Sequence, residues 1–194
     1  MSPTSPLRWE FYFFKSSLTT KIAVSHVDTA WTRLASRTAR GLLARKGFNY
    51  DALAASLTGM GVQESFRGAE SKIQRGAYRF TFFLQVLQAV DAEYPQQWTT
   101  FVESRESWEV IATHIFLEEL KNSGLDYKKL ARRFAKCGIA SDPNVLESQI
   151  SSGDFQFTLI LQLSLVAPIA GIERFVDRRD VERTPSESGD APRR

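Results

Sequence analysis

From Trp31 onward the apolar positions recur at the three- to four-residue spacing of helices that bury one face, and Gly, Pro and short polar residues interrupt them at intervals. The spacing predicts a first helix from about Thr29 to Lys46, with Asp28 as its N-cap and Gly47 just past its end. A short second helix follows Asn49, whose side chain can cap the free N–H groups, and a turn at Gly59 and Gly61 closes it. A third helix ends near Gly76, and a fourth, very apolar one covers Phe80 to Val90.

The same punctuation then returns. Ser107 and Gly124 bracket another long helix, Asp126 can cap a short one that Gly138 closes, and Asp142-Pro143 opens a third that ends near Gly153. An apolar fourth helix from Phe157 to Ala167 completes the set. Shifted by 77 positions without gaps, residues 31–90 overlie 108–167 with 16 identities in 60 pairs, among them Trp31/Trp108, Gly47/Gly124, Leu53/Leu130, Gly76/Gly153, Phe80/Phe157 and Leu84/Leu161. After a three-residue deletion, F-V-E-S-R-E from Phe101 parallels F-V-D-R-R-D from Phe175, so each unit is expected to include a last helix.

The duplication sets the organisation. Residues 1–27 form an N-terminal arm, 28–106 and 107–181 are the two units, and the Pro-, Ser- and charge-rich tail 182–194 is expected to be disordered. The fold class is all-α, with Leu53, Ile73, Phe80 and Leu84, and equally Leu130, Ile150, Phe157 and Leu161, buried together. Only the arm departs from helical spacing: Leu7, Trp9, Phe11 and Phe13 alternate with the period of a strand. It can pack on the helices, pair with its twin in a homodimer, or lie outside the natural domain.

Composition narrows the class of protein. With 194 residues, 43% hydrophobic and 24% charged, and with 14 Phe and 4 Trp, the chain has ample core material and is not wholly disordered. One cysteine, Cys137, cannot form an internal disulfide, and with two histidines it falls short of the usual zinc ligand sets. An intracellular, cytoplasmic protein without metal or cofactor is the expectation. The longest apolar run, from Phe157, is broken by Gln162, Ser164 and Pro168, which suits a core helix better than a membrane span. The aromatic stretch at residues 7–15 carries Arg8, Glu10 and Lys15 and does not read as a signal peptide.

Catalytic chemistry has no foothold in the sequence. His26 and His114 stand without an acid–nucleophile pattern, Cys137 aligns with Met60 and reads as a packing residue, and Trp31 and Trp108 read as paired core anchors. There is no P-loop, G-x-G-x-x-G, H-E-x-x-H or G-x-S-x-G. No enzyme is expected.

The order of short helix, glycine turn, third helix ending in I-x-x-G and apolar fourth helix resembles the helix-turn-helix of phage-repressor-like proteins. The strings L-A-A-S-L-T-G-M-G-V from Leu53 and I-Q-R-G from Ile73 carry that resemblance, although the segment from Val62 to Ile73 is about three residues longer than the repressor pattern. G-F-N-Y-D-A-L-A-A-S-L-T-G-M-G-V, E-S-K-I-Q-R-G and F-F-L-Q-V-L-Q-A are more closely similar to a bacterial domain family of unknown function, over both units and roughly residues 28–170. The first resemblance implies a DNA-binding regulator; the second implies a fold more than an activity.

Charge is where the two copies part. Residues 31–90 hold nine Lys or Arg against three Asp or Glu, a net of +6, while residues 108–167 hold six against seven, a net of −1. On the third helix of unit 1 the outward cations are Arg67, Lys72 and Arg75, with Arg79 just beyond, where a duplex-facing helix needs them for phosphates and guanine edges. Unit 2 has Asn144, Gln149 and Ser152 in place of the three helical cations. Arg33, Arg37 and Arg40 form a stripe on the first helix, which reads either as a phosphate track or as a solvated face. In unit 2, Lys128, Lys129, Arg132, Arg133 and Lys136 make the second helix basic and could add phosphate contacts, against the acids Glu109, Glu118 and Glu119. The expectation is therefore a bacterial regulator whose unit 1 contacts double-stranded DNA. The alternative is a protein-interaction module that keeps the helix-turn-helix fold and binds another regulator, for which the near-neutral unit 2 is suited.

Overall fold

Helix caps written into the sequence set the architecture of residues 28–187, the part of the chain that the computed structural model describes. Unit 1 consists of α1 (Ala30–Lys46), α2 (Tyr50–Gly59), α3 (Phe66–Arg75), α4 (Phe80–Ala89) and α5 (Gln96–Val102). Unit 2 consists of α6 (Trp108–Asn122), α7 (Tyr127–Lys136), α8 (Pro143–Ser151) and α9 (Phe157–Val166), followed by a 3₁₀ turn at Ile172–Arg174 and α10 (Arg178–Glu187). Asn49 accepts the Ala52 N–H at 2.8 Å, Asp126 that of Lys129 at 2.7 Å, and Asp142 that of Asn144 at 2.8 Å, as the sequence predicts. The Lys129 N–H bond is also what chiefly holds the Asp126 carboxyl below the usual carboxylate range. At the start of α1 the cap is Thr29 and not Asp28: the Thr29 hydroxyl accepts from the Thr32 N–H while the Thr32 hydroxyl accepts from the Thr29 N–H. This reciprocal capping box satisfies two free donors, the N–H groups of Thr32 and of Thr29 itself.

The two units are interlocked. Within each, the third helix packs on the first and second, and the second packs on the fourth: α1 and α2 on α3, α2 on α4, then α6 and α7 on α8, α7 on α9. Across them, α1 packs on α9 and α6 on α4, so each first helix lies against the other unit's fourth, and α4 and α9 meet each other. Backbone bonds repeat the reciprocity. The Phe80 N–H donates to Phe155 O and the Phe157 N–H to Tyr78 O, both at 2.9 Å, around an isolated antiparallel bridge between Arg79 and Gln156. These pairs exchange under the 77-residue shift, which is the signature of a local pseudo-two-fold axis.

Why α4 and α9 sit at the centre follows from their composition: each is apolar nearly all round, and a helix without a polar face must be covered on every side. Phe80, Phe83, Phe157, Ile160 and Leu161 are fully buried there, as are Leu53, Ile73 and Leu84 in unit 1 and Leu130 and Ile150 in unit 2. The Phe83 and Phe157 rings stack with centroids 3.9 Å apart, and Phe80 meets Phe155 at 5.6 Å. Each such ring removed from water contributes about 1.5–3 kcal/mol, so the aromatic packing between units is a main source of their cohesion.

Two expectations need correction. The last helix is not repeated: α5 is a seven-residue helix, but its counterpart after the deletion is only the 3₁₀ turn at Ile172–Arg174, where Gly171, in the place of Gln97, takes a left-handed φ of +83° that an α-helix does not continue through. The chain also stays helical past Glu182, with Val181 and Thr184 of α10 buried and the helix packed on α1 and α9. Residues 188–194 and the arm at residues 1–27, with its strand-period aromatics and His26, lie outside the described residues. Among the described residues there is no strand, and no helix is long and apolar enough to cross a membrane.

Candidate functional site

On α1, Trp31, Leu34, Ala35, Thr38, Ala39 and Leu42 take the inner face, which leaves Arg33, Arg37 and Arg40 exposed on the outer one. The end of α3 comes up beside them. Arg33, Ser36, Arg37 and Arg40 from α1, Gln74 and Arg75 from α3, and Asp28 line a cleft of about 420 Å³. Among the described residues, the only carboxylate paired with any of these four arginines is Asp28, 3.3 Å from Arg33. The Arg75 Nε–H donates to Ser71 O at 3.1 Å, which fixes its stem along α3. Among the described residues three guanidinium groups thus have no counter-ion around one concave surface, each a planar fork of donors that matches phosphate or carboxylate oxygens.

The other cations proposed from the sequence go elsewhere. Lys72 pairs with Glu64, whose side chain is only 6% exposed, and stands 5.0 Å over the Phe82 ring. Arg79 pairs with Asp154 of unit 2 at 2.7 Å. Both line a separate depression of about 430 Å³, with Gln85, Glu109 and Gln156. Arg67 is exposed on the first turn of α3 and lines neither. The structure therefore gathers Arg33, Arg37, Arg40 and Arg75, and separates them from Lys72, Arg79 and Arg67. Ser36 and Gln74 join the cleft without having been singled out in the sequence. Both flank a stripe arginine or Arg75, and that adjacency was the available signal.

Unit 2 supplies an internal comparison. At the positions of Arg33, Arg37, Arg40 and Arg75 it carries Val110, His114, Leu117 and Ser152. Val110 and Leu117 are 38% and 40% exposed, and His114 meets Glu106 at 3.4 Å and the Phe101 ring at a centroid distance of 5.8 Å. Cys137 is a half-buried free thiol at the end of α7. Among the described residues no group of three His, Cys, Asp or Glu side chains could hold a metal ion.

Comparison with known families matches the pattern of both units. The family described as Domain of unknown function (DUF6471) covers residues 31–94 and again 108–169, which is more than half the chain. The chain belongs to this family. Each DUF6471 match takes in the four helices of one unit, from α1 through α4 and from α6 through α9, so the interlocked pair is a tandem of two such domains. Neither a curated protein nor a solved structure matches the chain.

Proposed function

We propose that the protein is a bacterial DNA-binding regulator of the cytoplasm, with Arg33, Arg37, Arg40 and Arg75 of unit 1 holding phosphates of double-stranded DNA. The observation that carries this reading is the gathering of those four arginines at one cleft with a single carboxylate among them. Concentrating like charge costs folding stability, and the same domain folds in unit 2 with Val110, His114, Leu117 and Ser152 instead, so the fold does not require the arginines. A surface that is cationic without structural need is suited to a polyanion, whose counterions are released on binding. Lys72 and Arg79 lie outside the cleft, matched to carboxylates, and contribute less; Arg33 is also paired, but with an Asp28 that is mostly exposed and so holds it weakly, while Arg67 is left exposed to reach a neighbouring phosphate.

A second reading attaches to unit 2 alone. Val110 and Leu117 expose apolar surface where unit 1 carries arginines, which favours a protein partner at that face, such as another regulator. Titrating the full chain with duplex DNA over a salt series tests the first reading. Affinity that falls steeply with salt supports it. An absence of salt-dependent affinity, together with stoichiometric co-purification of another protein, replaces it with the interaction module.

A further inference from the structure

A second basic surface among the described residues, on α7, belongs to the opposite unit. Its inner face, Leu130, Ala131 and Phe134, is buried, and Lys128, Lys129, Arg132, Arg133 and Lys136 are all exposed. Lys128, Arg132 and Lys136 follow one another at four-residue steps, so they run along one side of the helix. Only Lys129 is paired among the described residues, with Asp126 at 3.6 Å. Arg133 is spent on the α9 terminus, where it donates to Val166 O at 2.8 Å. Unit 1 has Asp51, Ala55 and Gly59 at the positions of Lys128, Arg132 and Lys136, so these cations too are dispensable for the fold.

The interlock sets the C-terminal end of this helix across a groove from Arg33. Because α1 packs on the other unit's fourth helix, α1 and α7 flank the same helix, α9. Between them runs a groove of about 660 Å³. Trp31 and Arg33 stand on one side with Asp28, Gly138 and Ile139 past the end of α7 on the other, and Gln162 of α9 and Glu187 of α10 line it as well, so a phosphate chain crosses it over Arg33 and past two carboxylates. Arg33 lines both this groove and the cleft.

From this placement we infer that one DNA duplex is bound by both units, its phosphates passing from the Arg37, Arg40 and Arg75 cleft over Arg33 to Lys136, Arg132 and Lys128. The inference rests on the DNA reading above and changes its division of labour, since unit 2 then contributes cations through α7 and not through its third helix. At 1.5 Å per residue, the stripe from Arg33 to Arg40 is about 10 Å long and that from Lys128 to Lys136 about 12 Å, so with the groove between them the path exceeds what a single phosphate or nucleotide can occupy. Duplex DNA presents one charge per roughly 1.7 Å of axis and fits a path of this length.

The test compares the full chain with the variant Lys128→Gln/Arg132→Gln/Lys136→Gln on two duplexes, one of about two turns, roughly 20 base pairs, and one of about half a turn closed by a hairpin loop that keeps it paired. Circular dichroism and a melting curve establish that the variant is folded, and Lys128→Arg/Arg132→Lys/Lys136→Arg restores the charge. On the long duplex the neutral variant should show a logarithmic salt slope shallower by up to about 0.9 per phosphate released, the charge-restored variant should keep the full slope, and the short duplex should show no difference. Unchanged slopes on both duplexes, or equal reductions on both, overturn the shared path and leave the unit 1 reading standing. Absence of salt-dependent affinity in the unmodified protein overturns both.

Discussion

Gly76 lies so close to Thr32 that a Cβ placed on it would stand 1.8 Å from the Thr32 carbonyl oxygen. Gly153 stands in the same relation to Glu109, 2.2 Å from its carbonyl oxygen, and both glycines have positive φ, +64° and +68°. The repeated I-x-x-G is thus a docking joint between the end of the third helix and the first turn of the first helix. Backbone meets backbone there, and no flexible side chain can give way. Gly76→Ala and Gly153→Ala should each cost more than the ~1–2 kcal/mol of a left-handed non-glycine residue. Gly47→Ala is the comparison, since Gly47 has φ +69° but open space around it. Chemical denaturation of the three variants measures the difference, and equal destabilisation would show that the close approach does not matter.

Tyr78 makes folding sensitive to alkali. Its phenol is fully buried and donates to the Ala35 carbonyl at 2.7 Å, and burial pushes its pKa well above the ordinary tyrosine value. Tyr94, which donates to Leu84 O at 3.0 Å, is raised for the same reason. A raised pKa means that the folded state keeps the proton when the unfolded chain releases it, so the stabilisation is complete below about pH 10 and is lost as pH rises beyond it. Tyr78→Phe should lower stability near neutrality by about 0.5–1.5 kcal/mol, the net worth of one hydrogen bond, and should weaken the alkaline decline. Phe155 occupies the matching place in unit 2, so the ring itself fits. Denaturation midpoints between neutral and alkaline pH check this, and an unchanged decline in the variant would show that Tyr78 is not its source.

Glu119 is a carboxylate where the duplication has an apolar residue, Leu42, in unit 1. It is 4% exposed and takes the Trp98 indole N–H at 2.7 Å and the Gln97 amide at 3.0 Å, both from α5. Unit 2 lacks the equivalent of α5, which explains why one copy needs the acceptor and the other does not. Glu119→Leu should cost about 1–3 kcal/mol, since it leaves the buried Trp98 N–H without a partner. Glu119→Gln, which keeps an acceptor oxygen, should cost less. Denaturant titration of the two variants reads this, and a leucine variant as stable as the unmodified protein would mean that desolvating the carboxylate already offsets these bonds.

Much of this was legible locally. The caps at Asn49, Ser107, Asp126 and Asp142, the closing glycines and the apolar registers at Leu84 and Leu161 act within a few residues, and so they can be read from spacing. The exchange of first helices between units cannot, because α1 presents the same apolar face whether α4 or α9 covers it. Composition misled at the C-terminus, where Pro185 and the charges of α10 mask the two residues, Val181 and Thr184, that dock it. At the candidate site the arginine stripe of α1 was visible as a helical period, but its union with Arg75 depends on how α3 crosses α1. The neutralisation of Lys72 depends on Glu64 in the turn between α2 and α3, and that of Arg79 on Asp154 in the other unit.

The most direct test of the central claim is the salt dependence of duplex-DNA affinity for the protein and for Arg37→Gln/Arg40→Gln/Arg75→Gln, with folding of the variant confirmed by its melting curve. If the cleft holds phosphates, the unmodified protein shows a steep logarithmic slope, and the variant binds more weakly with a slope shallower by about 0.9 for each phosphate it no longer neutralises, up to roughly 2.7. Replacing Val110, Leu117 and Ser152 of unit 2 with alanine leaves that slope in place, since no cation is removed. Equal affinity and equal slope for the protein and the arginine variant would contradict the claim.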